Sequence, residues 1–87
     1  MFVDLRDAGD YKQGHIVDSV SIPIAKLKAS EGQLNAYRDK PVVLVCKMGQ
    51  HSGPAGKQLR AAGFEKVYKM AGGMLEWSNL QLPTVRS

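Results

Sequence analysis

The sequence has one cysteine, Cys46, and two histidines, and it has no close Cys or His spacing of the kind that holds a structural metal. A single cysteine excludes an internal disulfide, and with so few ligands we expect neither a metal site nor a cofactor. A free thiol persists in a reducing compartment, so the cysteine usage favours a cytoplasmic protein.

Long apolar runs are also missing, so no stretch could span a bilayer. No signal-peptide pattern opens the sequence. Met1 is followed at once by a strand-like pattern, and a central strand rarely stands at the very start of a natural chain. We therefore expect a trimmed N-terminus, and a removed segment could have carried an anchor that tethers the domain to a membrane.

Runs of one charge sign are absent as well. The net charge is +4, and the basic residues are scattered from Lys12 to Arg86 without a cluster. With no groove-reading motif and no interleaving of basic and aromatic residues, nucleic-acid binding is not expected. The modest positive charge is compatible with small anions held at one focused site.

What the sequence does contain is an alternation of strand-like and helix-like segments over one small domain, residues 1–87. Strand patterns lie near residues 2–6, within 16–24, and near 41–46 and 67–70. The first helical pattern is a short helix capped by Asp7 and ended by Gly14, and two helical pieces follow between residues 25 and 40, broken near 30–32. A further helix is ended by Gly63, and a last helix turns Met74, Leu75 and Trp77 inward. This order predicts an α/β fold with a mostly parallel sheet and helices on both faces.

The most informative stretch surrounds the cysteine. The apolar run Val42–Val45 predicts a buried parallel strand, and it ends on Cys46. A loop then leads into a helix that we expect to begin near Pro54, with Ser52 as its N-cap. Ligands of open α/β sheets bind at this edge, where unpaired N–H groups and the helix dipole favour an anion.

The loop itself is suited to activating the thiol. Gly49 and Gly53 would let it curl so that its backbone amides point inward as an anion-binding nest. Those N–H groups, together with the side chains of Lys47 and His51, should lower the pKa of Cys46. We therefore interpret Cys46 as a reactive thiolate that needs no general base.

Four segments resemble the rhodanese-like sulfurtransferase domain, in the order found in that family. VDLRD resembles the family's hydrophobic–Asp–x–Arg strand, and GHIVDSVSIP resembles its Gly-His-Ile segment. CKMGQHS resembles the active-site loop, and GFEKVYKMAGGMLEW resembles the closing block. Each motif alone is weak, but the four in order form a specific signal over nearly the whole chain. The resemblance implies a three-layer α/β/α sandwich around a central, mostly parallel sheet.

The resemblance also implies a bacterial-type, single-domain thiosulfate sulfurtransferase in which Cys46 carries sulfane sulfur as a persulfide. The donor would be thiosulfate or a persulfide, and the acceptor cyanide or a thiol such as glutathione or a thioredoxin-like protein. The substrate-binding loop would comprise Lys47, Met48, Gly49, Gln50, His51 and Ser52, while Asp4, Arg6 and His15 would support the scaffold. Complete members carry a further strand and helix at the N-terminus, and without them an exposed edge strand could pair two chains as a dimer.

One loop position departs from the pattern. Many members have an arginine five residues after the cysteine, and this chain has His51. The change removes a permanently charged, bidentate anion ligand, so we expect weaker thiosulfate binding or a different donor.

Simpler interpretations stay open. Cys46 could be a buried, inert thiol, Lys47 a solvated lysine and His51 an exposed loop histidine. A Cys46–His51 protease dyad lacks an orienting third residue, and a phosphatase or arsenate reductase would need a longer loop and normally the arginine. The main rival to an enzyme is a non-catalytic binding module or a sulfur carrier for a protein partner.

Overall fold

The computed structural model describes residues 1–86 and contains a parallel four-stranded sheet in the order β2-β1-β3-β4. The strands are β1 (Phe2–Asp4), β2 (Val20–Ser21), β3 (Val42–Val45) and β4 (Val67–Lys69). The helices are α1 (Ala8–Gln13), α2 (Ser52–Ala61) and α3 (Gly73–Asn79), with 3₁₀ segments at Ile24–Lys26 and Lys28–Tyr37. The predicted α/β class and parallel sheet are confirmed.

Alternation along β3 divides the core into two layers. Leu44 points to one face of the sheet, where the core includes Leu59 of α2 and Leu34 of the longer 3₁₀ segment. Val45 points to the opposite face and belongs to a second cluster with Met74 of α3. Helical segments therefore cover both faces, which confirms the three-layer arrangement.

The pairing of β1 with β3 determines where a site can form. Asp4 lies opposite Val45, and the N–H of Leu5 donates to the Val45 carbonyl at 2.7 Å. Because the two strands are parallel, their carboxyl ends meet at one edge of the sheet. The chain that follows β1 is thereby brought beside Cys46, which follows β3.

The end of α2 agrees with the prediction. Gly63 has φ +100°, its N–H donates to the Arg60 carbonyl, and the N–H of Phe64 donates to the Leu59 carbonyl, both at 3.0 Å. This pair of bonds is the Schellman arrangement, in which a left-handed residue just past the helix satisfies its last carbonyls. Gly63 therefore ends α2, as the sequence indicated.

The second strand lies within residues 16–24 as predicted, but one predicted helical boundary is wrong. The second strand is limited to Val20–Ser21, because the preceding residues form a turn in which the Ser19 N–H donates to the Ile16 carbonyl at 3.0 Å and Asp18 has φ 63°. The helical region before β3 is not broken at 30–32; its break falls at Leu27, between the two 3₁₀ segments.

The inward face of α3 is narrower than predicted. Met74 is buried and Trp77 is partly buried against the same cluster, but Leu75 is 51% exposed. Residues three apart share a helix face, whereas the residue next to Met74 is rotated away from it. Leu75 therefore points outward, contrary to the sequence prediction.

Within residues 1–86, no helix combines the length and the apolar composition needed to cross a membrane.

Candidate active site

Cys46 lies at the floor of a small cavity at the carboxyl edge of the sheet. Its side chain is only 2% exposed, and the cavity has a volume of about 210 Å³. A larger groove of about 460 Å³ lies between α2 and β4, but Cys46 does not line it. We place the candidate site in the smaller cavity, because it contains the only thiol in the chain.

The cysteine sulfur is surrounded by hydrogen-bond donors. The Gly49 N–H donates to Cys46 Sγ at 2.9 Å, and the Ser52 hydroxyl donates to it at 3.4 Å. Both distances lie within hydrogen-bonding range of sulfur. The loop thus encloses Sγ with groups that favour a negative charge on it.

These contacts decide the acidity of the thiol. Burial raises the pKa of Cys46, but hydrogen bonds from the Ser52 hydroxyl and from the backbone N–H groups of His51, Gly49 and Ser52 lower it. The pKa therefore lies below that of an ordinary cysteine, which confirms the predicted activation by loop amides. His51 contributes through its backbone N–H.

Ser52 has a different role from the predicted one. The N-cap of α2 is His51, which makes no capping bond with its side chain, and Ser52 is the first helical residue. The Ser52 side chain is 1% exposed and its hydroxyl is directed at Cys46 Sγ. The prediction of Ser52 as N-cap is wrong, because its hydroxyl contacts the thiol and does not cap the helix.

Gly49 is required by the loop geometry. Its φ is +87°, and a Cβ at this position would lie 2.1 Å from the Ala71 carbonyl oxygen. A left-handed residue pressed against neighbouring backbone has room for glycine only. Gly53 is different, because its φ is not in the left-handed region and a Cβ there would meet nothing within 4 Å. The prediction that Gly53 also lets the loop curl is wrong.

The loop is also held from behind by α3. The Met74 N–H donates to the Cys46 carbonyl at 2.8 Å, and the Leu75 N–H donates to the Lys47 carbonyl at 2.9 Å. Gly73 makes this approach feasible, since its φ is +60° and a Cβ would lie 2.4 Å from the Cys46 oxygen. The sequence reasoning missed this support; the Gly-Gly pair before Met74 was the signal that could have found it.

Gln50 folds back over the loop. Its Oε1 accepts the Met48 N–H at 3.0 Å and lies 3.8 Å from Cys46 Sγ. Gln50 lines the cavity, whereas the Met48 side chain is 53% exposed and does not line it. Of these two predicted loop residues, only Gln50 brings its side chain to the nucleophile.

The rim of the cavity carries charges of both signs. The lining residues are Leu5, Arg6, Asp7, Asp10, Ile24, Cys46, Lys47, Gln50 and His51. Lys47 and His51 were predicted from the loop, but Asp10 was not, and Asp7 was predicted only as a helix cap. Asp7 makes no side-chain capping bond. Local patterns could not find these carboxylates, because α1 reaches the cavity through the pairing of β1 with β3.

The predicted support residues are largely occupied by one another and by the backbone. Arg6 donates to both carboxylate oxygens of the buried Asp4, at 2.9 Å from Nε to Oδ1 and 2.7 Å from Nη2 to Oδ2, and Nη2 also donates to the Gly14 carbonyl at 2.7 Å. His15 Nδ1 lies 2.7 Å from the Tyr11 carbonyl oxygen, and the two rings stack with centroids 3.7 Å apart. Of Asp4, Arg6 and His15, only Arg6 lines the cavity.

Within residues 1–86, no group of three His, Cys, Asp or Glu side chains lies close enough to hold a metal ion. The chemistry that Cys46 and its hydrogen-bond donors supply is that of an activated thiolate beside a small cavity.

Comparison with known proteins places this arrangement in a family. The profile of the rhodanese-like domain matches residues 1–80. Protein slr1261 of Synechocystis is 38% identical and aligns with 100% of this chain, and the chain spans only 48% of that relative. The thiosulfate sulfurtransferase GlpE of Pseudoalteromonas translucida is 34% identical over 88% of this chain and 71% of its own length. The crystal structure of a rhodanese-related protein of Thermoplasma volcanium is 28% identical, with a TM-score of 0.91, and covers 100% of this chain and 84% of that chain.

Proposed function

The chain belongs to the rhodanese-like domain family, and from this we propose that it is a sulfurtransferase which carries sulfane sulfur as a persulfide on Cys46. The observation that carries the proposal is the buried thiol with a lowered pKa at the floor of a cavity. A thiolate is the nucleophile in sulfur exchange, and a structural cysteine in an apolar core would have a raised pKa instead.

In the first half of the reaction the Cys46 thiolate attacks the outer sulfur of the donor. A new S–S bond forms on Cys46 as the donor's own S–S bond breaks, and the electron pair leaves with the donor fragment. With thiosulfate that fragment is sulfite, and with a persulfide it is a thiolate. No external oxidant or reductant is needed, because the sulfur passes on in the same oxidation state.

In the second half an acceptor thiolate or cyanide attacks the outer sulfur on Cys46 and restores the thiolate. The Gly49 N–H and the Ser52 hydroxyl, which hydrogen-bond Cys46 Sγ, are placed to stabilise the leaving thiolate in this step. Two successive transfers through one covalent intermediate give ping-pong kinetics.

The cavity size favours small donors. Its volume of about 210 Å³ is below the ~300–1,000 Å³ of pockets that enclose drug-sized ligands. Thiosulfate and small persulfides are therefore better candidates than bulky donors.

A sulfur carrier for a protein partner is the second candidate. Met48 and Leu75 are 53% and 51% exposed, and the Leu75 N–H binds the Lys47 carbonyl beside the nucleophile. Apolar side chains exposed next to a reactive group suit contact with another protein better than contact with a small anion. In that case the persulfide would form but would pass to a protein thiol faster than to cyanide.

The test is the intact mass of the protein after incubation with thiosulfate or a persulfide, before and after dithiothreitol, with Cys46→Ser alongside. We expect a gain of about 32 Da, one sulfur atom, that dithiothreitol reverses and the variant lacks. No gain from any donor, with Cys46 shown to react with an alkylating agent, would overturn the proposal. A persulfide that forms but is not passed to cyanide or small thiols would favour the carrier.

A further inference from the structure

We propose that Asp7 and Asp10 select the sulfur donor, and that the preferred donor is the persulfide of an amino-acid thiol such as cysteine. This inference rests on the proposed function and names its substrate class. The observation that carries it is a reactive thiol in a cavity whose rim has charges of both signs that form no salt bridge within residues 1–86.

The cation best suited to a dianion is already engaged. Arg6 is the only guanidinium that lines the cavity, and both its Nε and its Nη2 bond Asp4, with Nη2 also bonding the Gly14 carbonyl. A bidentate pair of this kind offsets the guanidinium charge and engages the Nε and Nη2 donors. Arg6 therefore offers little to thiosulfate.

The carboxylates at the rim have no such partner. Within residues 1–86 the ion pair between Arg6 and Asp4 is the one salt bridge, so Asp7 and Asp10 face the cavity without a cation within 4.0 Å. Their negative charges repel an entering dianion and attract an ammonium group. Neither side chain is buried, so the effect is moderate and sensitive to salt.

The opposite charge comes from the loop. Lys47 lines the same cavity and is also outside any salt bridge in residues 1–86, and His51 lies beside it on the rim. A ligand that satisfies this cavity carries an ammonium for Asp7 and Asp10 and a carboxylate for Lys47. Amino-acid thiols have both groups, whereas thiosulfate has only negative charge.

The reaction with such a donor is balanced without a further reactant. The Cys46 thiolate attacks the terminal sulfur of the persulfide, and a Cys46 persulfide forms. The donor's S–S bond breaks, and its electron pair leaves on the amino thiol as a thiolate.

The test compares three donors: cysteine persulfide, 3-mercaptopropionate persulfide, and thiosulfate. The first two differ only in the ammonium group. The readout is kcat/KM for loading Cys46 at low and high ionic strength. We expect wild-type protein to prefer cysteine persulfide over its des-amino analogue by about tenfold at low salt, and the preference to shrink at high salt.

The variant that tests the assignment is Asp7→Asn/Asp10→Asn, which keeps side-chain size and removes both charges. We expect it to reduce the preference for the ammonium to the part that comes from the more acidic leaving thiol of cysteine, and to raise kcat/KM for thiosulfate about three- to tenfold. The matched control is Asp18→Asn/Asp39→Asn, which makes the same charge change at two exposed aspartates that do not line the cavity.

The outcomes distinguish failure of the inference about the donor from failure of the proposed sulfurtransferase function. Three results would overturn the inference while Cys46 still loads sulfur. They are equal rates with the two persulfides, a preference as large in Asp7→Asn/Asp10→Asn as in wild type, and an equal reduction in the control. Failure of all three donors to load Cys46 would overturn the proposed function, and this inference with it.

Discussion

The sulfur and the rim of its cavity are surrounded by different kinds of groups. Around Cys46 the donors are backbone N–H groups and one buried hydroxyl, that of Ser52. At the rim the exposed polar side chains include the carboxylates of Asp7 and Asp10, at the start of α1, and the Lys47 ammonium of the loop. Backbone donors follow from the path of the chain, whereas exposed side chains can change without altering the fold. We infer that the hydrogen-bond donors around Cys46 determine the reactivity of the thiol, and that the rim determines which sulfur-donating molecule reacts with it.

The largest effect should come from a change in the loop backbone that moves an N–H donor away from Cys46 Sγ. Gly49→Ala places a side chain at φ +87° and 2.1 Å from the Ala71 oxygen, so the loop must move and the Gly49 N–H leaves the sulfur. We expect loading of Cys46 to fall by about 10²-fold, as for loss of a preorganised donor, and the free energy of unfolding to fall by about 1–3 kcal/mol. Loading kinetics and denaturant unfolding measure the two effects.

The matched change is Gly53→Ala, four residues further along. That position has an ordinary φ and open space for a Cβ, so we expect stability and loading close to wild type. If both variants behaved alike, the special role of Gly49 would be refuted.

A smaller effect should follow from removing the one side-chain donor. Ser52→Ala deletes the hydroxyl that lowers the pKa of Cys46, so that pKa should rise and the thiolate fraction at neutral pH should fall. In wild type the thiolate, and with it the alkylation rate, should persist below pH ~8.5, the pKa of a free thiol, and be lost only as the pH falls through the lowered pKa. In Ser52→Ala we expect this profile to shift to higher pH, with an alkylation rate at pH 7 about three- to tenfold lower.

The pH profile distinguishes this effect from general damage. A destabilised loop would lower the plateau rate at high pH, whereas a raised pKa leaves the plateau in place. An unshifted profile in Ser52→Ala would remove Ser52 from the set of activating donors.

The smallest effect should come from the rim. His51→Arg adds a permanent, forked cation to the rim, so we expect the KM for thiosulfate to fall about three- to fivefold with little change in kcat. Gln33→Arg adds the same charge at an exposed position away from the cavity and serves as control. An equal change in the control would mean that overall charge, not the rim, is responsible.

The family and the position of the nucleophile were accessible from sequence because they depend on local order. An apolar β-branched run that ends on Cys46, followed by a glycine loop and a helix, predicts a thiol at a sheet edge whatever lies elsewhere. The turns at Gly49 and Gly63 were predictable for a related reason, since glycine readily adopts the positive φ that both positions have. The lowered pKa followed from the same local geometry.

The assignments that failed depend on which surface of an element meets the rest of the molecule. Leu75 is apolar but faces outward, and Ser52 is a common capping residue that instead contacts the sulfur. Periodicity and residue preferences describe an element in isolation and do not say which neighbour it will meet.

Local sequence therefore specified the reactive thiol and its ring of backbone donors, because those contacts join residues close together along the chain. Tertiary structure alone brought Asp7 and Asp10 to the cavity, and it also set α3 behind the loop. Those contacts join residues tens of positions apart through the parallel pairing of β1 with β3 and the packing of α3 on the sheet. Such contacts depend on the whole arrangement of strands, which short patterns do not encode.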